Sequence, residues 1–154
     1  MYQKAKLLGV LLIVLIAVGC SSENSTSKGT NIDTEFLPVD KAFKYSAVMI
    51  DEKTIKASWD IADGYHLYKN KLKFEITAGG YQVANVDYPE SVMLDDKIFG
   101  KQESYKNSLD VIITLAKISD GGAIKLKSGY QGCAAQGLCY PPESKVSEFD
   151  VTQI

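Results

Sequence analysis

Downstream of residue 36, apolar side chains return at every second position through one segment after another. Phe43, Tyr45, Ala47 and Met49 alternate with Lys44, Ser46 and Val48, and Ile55, Ala57, Trp59 and Ile61 alternate with Lys56, Ser58 and Asp60. Leu72, Phe74 and Ile76 flank Lys73 and Glu75. Leu109, Val111, Ile113 and Leu115 alternate with Asp110, Ile112 and Thr114, while Ile124, Leu126 and Tyr130 oppose Lys125 and Lys127. A period of two with one polar face describes half-buried β-strands. Turn-forming pairs separate the runs: Asp51-Glu52, Asp63-Gly64, Gly79-Gly80, Pro89-Glu90 and Asp120-Gly121-Gly122. Glycine supplies the positive φ that tight hairpins require. Seven or eight short strands so spaced predict an all-β domain, most simply a β-sandwich with Trp59 in its core. Periodicity alone leaves a closed barrel open.

The first twenty residues obey a different rule. Lys4 and Lys6 precede an almost wholly apolar run over residues 7–19, the layout of a signal peptide. The run is short for a spanning helix, which needs ~20 apolar residues. It ends in Ala17-Val18-Gly19-Cys20-Ser21-Ser22, and small residues before a cysteine resemble a bacterial lipobox, with Cys20 as the lipidation site. An ordinary signal peptide, or an anchor helix with an incidental cysteine, is the plainer alternative. The polar stretch that follows reads as a flexible tether. The expected organisation is a signal peptide over 1–19, a lipidated tether over 20–35 and one domain over 36–154, a length suited to a single core. Ser21, in place of Asp, leans the anchor towards the outer membrane.

Charge narrows the function classes. All seventeen basic residues are lysine, against nineteen acids. Guanidinium forks are the usual means of bidentate phosphate and base recognition, so their absence, with the acidic balance, argues against a nucleic-acid partner.

Three cysteines remain to be assigned. If Cys20 carries lipid, Cys133 and Cys139 are left in an exported, oxidising compartment, where such a pair is expected to form a disulfide. They lie in Gly132-Cys133-Ala134-Ala135-Gln136-Gly137-Leu138-Cys139-Tyr140-Pro141-Pro142-Glu143. As a staple this bridge is weak, because closing a seven-residue ring constrains the unfolded chain by only roughly 2 kcal/mol. Exchange chemistry needs accessible sulfur, a thiolate, and a second thiol to resolve the mixed disulfide, and two cysteines on one turn meet the last need. The spacing is C-x5-C, without the C-x2-C of thioredoxin-like sites. Spacing by itself leaves structural staple and redox pair equally open.

The segment Tyr130-Gln131-Gly132-Cys133-Ala134-x-x-Gly137-x-Cys139-Tyr140-Pro141-Pro142-Glu143 resembles the active-site segment of the N-terminal periplasmic domain of the DsbD thiol:disulfide interchange family. Phe36 to Phe43 resembles that domain's first strand, Trp59 to Tyr68 its W-x-I-x-D-G-Y-Y-L-Y run, and Phe99 to Tyr105 its Y-G-K-x-E-x-Y element. The likeness runs in matching order over about residues 36–150. It implies an immunoglobulin-like β-sandwich with the redox pair on a hairpin under a cap loop, here Asp95 to Gly100. It implies that Cys139 forms the mixed disulfide with partners and Cys133 resolves it. The family's cap aromatic aligns with Ile98, which makes Phe99 the alternative shielding ring, and a second acidic cap position is Lys97. Asp96 is the cap carboxylate, expected to raise a nearby thiol's pKa by like-charge repulsion. Tyr68 and Tyr140 are expected to line the cleft around the sulfurs; for Tyr65, core packing is as good a reading.

His66, the single histidine, stands where the family has Tyr and reads as structural or surface-exposed. Cys133, Cys139 and His66 fall short of the usual four protein ligands of a structural zinc site, so neither metal nor cofactor is expected. The resemblance implies a monomeric carrier in the periplasm, anchored by lipid. It would take electrons from a membrane or thioredoxin-like donor and pass them to oxidised envelope proteins. Among these are a disulfide isomerase and the thioredoxin-like proteins of cytochrome c biogenesis. The family joins this domain to a membrane part and a terminal thioredoxin-like domain; the signal and anchor favour a stand-alone version. The competing reading is a non-catalytic immunoglobulin-like lipoprotein that binds a partner and uses the disulfide as a staple.

Overall fold

The computed structural model describes residues 36–150; the candidate signal segment, Cys20 and the tether lie outside the described residues. Strands dominate, as the alternation predicts. β1 (Phe43–Asp51) pairs antiparallel with β2 (Thr54–Ile61), placing Tyr45 opposite Trp59. β8 (Ser108–Lys117) lies on the other side of β2, and β5 (Tyr81–Asp87) completes a sheet of order β1-β2-β8-β5. Its inward residues are Ile55, Ala57, Trp59 and Ile61 from β2 and Leu109, Val111, Ile113 and Leu115 from β8, all buried. A second sheet has the order β11-β9-β4, from β4 (Lys73–Ala78), β9 (Ile124–Tyr130) and β11 (Glu143–Phe149).

These two sheets face one another across an aromatic core. The Trp59 ring lies 6.2 Å from Phe74 and 5.7 Å from Tyr130, both edge-on, the arrangement favoured by the ring quadrupole. The Tyr45 hydroxyl crosses the layer to bond the Ser128 hydroxyl at 2.9 Å. Among the described residues no sheet closes on itself, which excludes the barrel.

A third sheet departs from the expected count. β3 (Tyr65–Tyr68), β6 (Val92–Asp96), β7 (Gly100–Tyr105) and β10 (Gly132–Ala134) assemble in the order β10-β3-β7-β6. The described residues therefore hold eleven strands instead of seven or eight. Several of the added strands have only three to five residues, too short for an alternation to be recognised. β3 is buried at all four positions, so its sequence carries no polar face.

One local expectation also changes. Phe36 to Phe43 does not form the first strand. Val39–Ala42 is a helical turn, and β1 begins at Phe43. Pro38 starts the turn because its carbonyl accepts from the amides of Lys41 and Ala42, at 2.8 and 2.9 Å, and its ring nitrogen has no hydrogen to give a strand ladder. The Gly79-Gly80 pair is a turn between strands, as its sequence predicts, and it carries the chain from β4 in the second sheet to β5 in the first. Gly79 has φ +106°, and a Cβ there would stand 2.6 Å from the Ile124 Cα, so both backbone angle and space demand glycine.

Candidate functional site

The site is built on the third sheet. In β3 the residues alternate in direction, placing His66 and Tyr68 on one face and Tyr65 and Leu67 on the other. β10 pairs with β3 so that Cys133 stands directly opposite His66. The chain then turns through Ala135, Gln136 and Gly137 and returns at Cys139, which forms an antiparallel bridge with Cys133. The turn is closed by Ala134 N–H to the Leu138 carbonyl (2.7 Å), Tyr140 N–H to the Gly132 carbonyl (3.0 Å) and Gly137 N–H to the Ala134 carbonyl (2.9 Å). Gly137 carries a φ of +111°. Cys133 and Cys139 are joined by a disulfide. Their environments differ sharply: Cys133 is fully buried, at 0% exposure, while Cys139 is half-buried.

Gly132 is held by close packing. A Cβ at this position would lie 2.4 Å from the His66 carbonyl oxygen and 2.5 Å from the Phe43 ring. Phe43 also meets Tyr65 and Tyr140 edge-on, at 6.0 and 5.7 Å, and these aromatics floor the cysteine turn. Tyr140, expected in the cleft, packs here, with its hydroxyl donating to the Leu37 carbonyl. Tyr65 donates nothing to the sulfurs; its oxygen accepts from the Leu37 amide at 2.8 Å. Neither Phe43 nor Gly132 carried a sequence signal of this role.

Tyr68 reaches the sulfurs. Its hydroxyl donates to Cys133 Sγ at 2.9 Å and lies 3.8 Å from Cys139 Sγ, and it also interacts with the Asp96 carboxylate. A phenol has one proton, so sulfur and carboxylate are alternative acceptors. Burial, with Asp96 beside it, pushes the Tyr68 hydroxyl well above its ordinary range, and the group stays protonated.

The segment from Asp95 to Gly100 is the tip of the β6–β7 hairpin, lying over β3. Asp96 Oδ1 accepts from the amides of Ile98 and Phe99 at 2.8 and 2.9 Å, which ties the tip into a compact turn. The Phe99 ring stands edge-on to Tyr68 at 5.5 Å, under the Lys71 ammonium. Ile98, exposed, lines a cleft of about 220 Å³ with Asp95, Asp96, Lys97, His66 and Ala135. Phe99 thus covers the residue that touches the sulfurs, and Ile98 borders the open side.

His66 is buried, where sequence reasoning left surface and structural readings open. Its Nε2 lies 3.4 Å from Asp96 Oδ2, with both side chains under a tenth exposed. Burial pushes the imidazole below its ordinary value, Asp96 only partly restores it, and Lys106 adds to the fall; the ring is neutral at neutral pH. Burial likewise pushes the Asp96 carboxyl up. The amides of Phe99 and Ile98, the Tyr68 hydroxyl and His66 outweigh that and hold it below its ordinary value, so Asp96 is an anion.

Comparison with known proteins was consistent with this geometry. A family model described as "Thiol:disulfide interchange protein DsbD, N-terminal" matches residues 33–151. The chain is 35% identical over 139 residues to the thiol:disulfide interchange protein DsbD of Pseudomonas sp. (strain JR1 / K1), covering 90% of this chain and 22% of that protein. It is 35% identical over 112 residues to DsbD of Escherichia coli (strain K12), covering 73% of this chain and 19% of that one. The chain therefore spans about a fifth of the length of these relatives. Among solved structures, the reduced DsbD N-terminal domain of Neisseria meningitidis superposes with a TM-score of 0.66 at 29% identity, covering 75% of this chain and 90% of that one. The complex between the DsbD N-terminal and PilB N-terminal domains of that organism gives 0.60 at 30%, covering 76% and 88%. The sandwich is accordingly immunoglobulin-like.

Proposed function

The chain belongs to the family of the N-terminal domain of the thiol:disulfide interchange protein DsbD, and from that premise we propose that it exchanges thiols and disulfides with partner proteins in the periplasm. The observation that carries this reading is the unequal exposure of two sulfurs in one seven-residue ring. In the reduced protein, the Cys139 thiolate attacks a partner's disulfide, forming a mixed disulfide and expelling one partner thiol. Cys133, shielded from outside, then attacks Cys139 Sγ, restoring the Cys133–Cys139 bond and releasing the second partner thiol. Two electrons and two protons pass to the partner, and a donor returns them by the reverse sequence. The burial of Cys133 and the partial exposure of Cys139 support this division of roles, because an attacking sulfur has to be reached by another protein.

Thioredoxin-like domains fit as partners: a relative is seen in complex with the PilB N-terminal domain, and a small exposed turn suits a partner that presents its own cysteine pair. A membrane donor, a lipid anchor at Cys20 and a monomeric state complete the proposal. The test is capture in cells. With Cys133→Ala, a mixed disulfide through Cys139 persists and is visible on non-reducing gels; with Cys139→Ala it does not form. Failure of the first variant to hold any partner overturns the proposal. The staple reading is separated by the reduction potential, which for structural bridges lies below about −300 mV and for exchange pairs above it.

A further inference from the structure

One buried group has no place in the exchange chemistry. His66 Nε2 makes no well-formed hydrogen bond, although the side chain is only 5% exposed. It points at Asp96 Oδ2, 3.4 Å away, and these two atoms and Cys133 Sγ all lie within 4.8 Å of one another. One point is therefore within about 2.8 Å of all three, close to the ~2.0–2.3 Å of zinc–ligand bonds. Cys139 Sγ is bonded to Cys133 Sγ but lies outside that group of three; once reduction opens the S–S bond, rotation about the Cys139 Cα–Cβ bond swings a fourth ligand atom towards the other three. Sequence alone offered three of these groups; the cap brings Asp96 to them.

We propose that the reduced protein binds one Zn²⁺ through Cys133, Cys139, His66 and Asp96. The inference rests on the cysteine pair being reducible, as the exchange reading requires. The chemistry suits a cation of borderline softness: two thiolates, one imidazole and one carboxylate make the tetrahedral set of zinc sites. The two thiols lose their protons as the ion enters, and no electrons move. The cation also offsets most of the charge of a cluster in which two thiolates and the Asp96 anion would otherwise repel, leaving a single net negative charge. Supporting contacts are present, since the other Asp96 oxygen is fixed by the Ile98 and Phe99 amides, and such bonds orient ligating carboxylates. In the disulfide form the sulfurs are bonded to each other and the set is broken. Zinc and partner disulfides therefore compete for the same thiols, and the ion holds the carrier in its reduced state.

The test uses the untagged full chain carrying Cys20→Ser in mild detergent, reduced with a phosphine, with two free thiols verified by a thiol-reactive dye. That thiol count establishes reduction independently of any exchange with partners. Zn²⁺ is titrated against a chromophoric chelator, and Co²⁺ serves as the spectroscopic probe. One ion per chain is expected, with thiolate-to-cobalt charge transfer and tetrahedral d–d absorption, and none for the oxidised form. His66→Tyr is expected to weaken binding at least about a hundredfold. His66 is the sole histidine, so its imidazole nitrogen resonances report ligation without any variant. If Zn²⁺ leaves those resonances unmoved, or if His66→Tyr binds as tightly as the parent, the site does not exist as described.

Discussion

At the residue scale, Gly132 shows how closely the cysteine turn is fitted to the fold. The added methyl of Gly132→Ala meets the His66 carbonyl oxygen at 2.4 Å and the Phe43 ring at 2.5 Å. The carbonyl belongs to β3 and cannot move alone, while the ring is wedged among Tyr65, Tyr130 and Tyr140. Overpacking of this kind typically costs about 1–3 kcal/mol, and the upper part of that range is expected in denaturant unfolding. A variant as stable as the parent would show that β10 has room to shift. The sequence contains Gly132 beside Cys133, yet nothing local says that an aromatic ninety positions earlier will rest on it.

At the element scale, the β6–β7 tip covers β3 through one ring. Phe99 is 42% exposed, and its ring meets Tyr68 and Lys71. Phe99→Ala is therefore expected to change stability by little, within about 0.5 kcal/mol as for other surface positions. It uncovers Tyr68, whose hydroxyl lies on the sulfurs. Reduction of the disulfide by dithiothreitol should accelerate severalfold; an unchanged rate would remove Phe99 from any shielding role. Ile98→Ala, on the open side of the cleft, is the matched control. The Asp95–Gly100 segment was legible as a cap only through resemblance, because a six-residue loop has no periodicity of its own.

At the scale of the whole molecule, the disulfide contributes little to holding the sandwich together. The core between the first two sheets lies among Trp59, Phe74, Tyr130 and the inward residues of β2 and β8, and the seven-residue ring adds only roughly 2 kcal/mol in the loop-entropy model. Reduced and oxidised forms should both unfold cooperatively, the reduced form less stable by no more than that amount, as measured by denaturant titration with and without a phosphine. Collapse of the fold on reduction would instead mark the bridge as structural and favour the staple reading.

The alternation at Phe43 to Met49, Ile55 to Ile61 and Leu109 to Leu115 was enough to determine an all-β domain and its core face, because a strand's inside and outside are written every second residue. The cysteine segment likewise declared its family, since its glycines, cysteines and prolines sit at particular spacings. Tertiary structure alone decided the rest. β3, covered on both faces, and the three-residue β10 exist only because neighbours complete them. The meeting of His66, Asp96 and Cys133 joins three strands far apart in the chain, and such a meeting depends on how sheets pack, which no local pattern encodes.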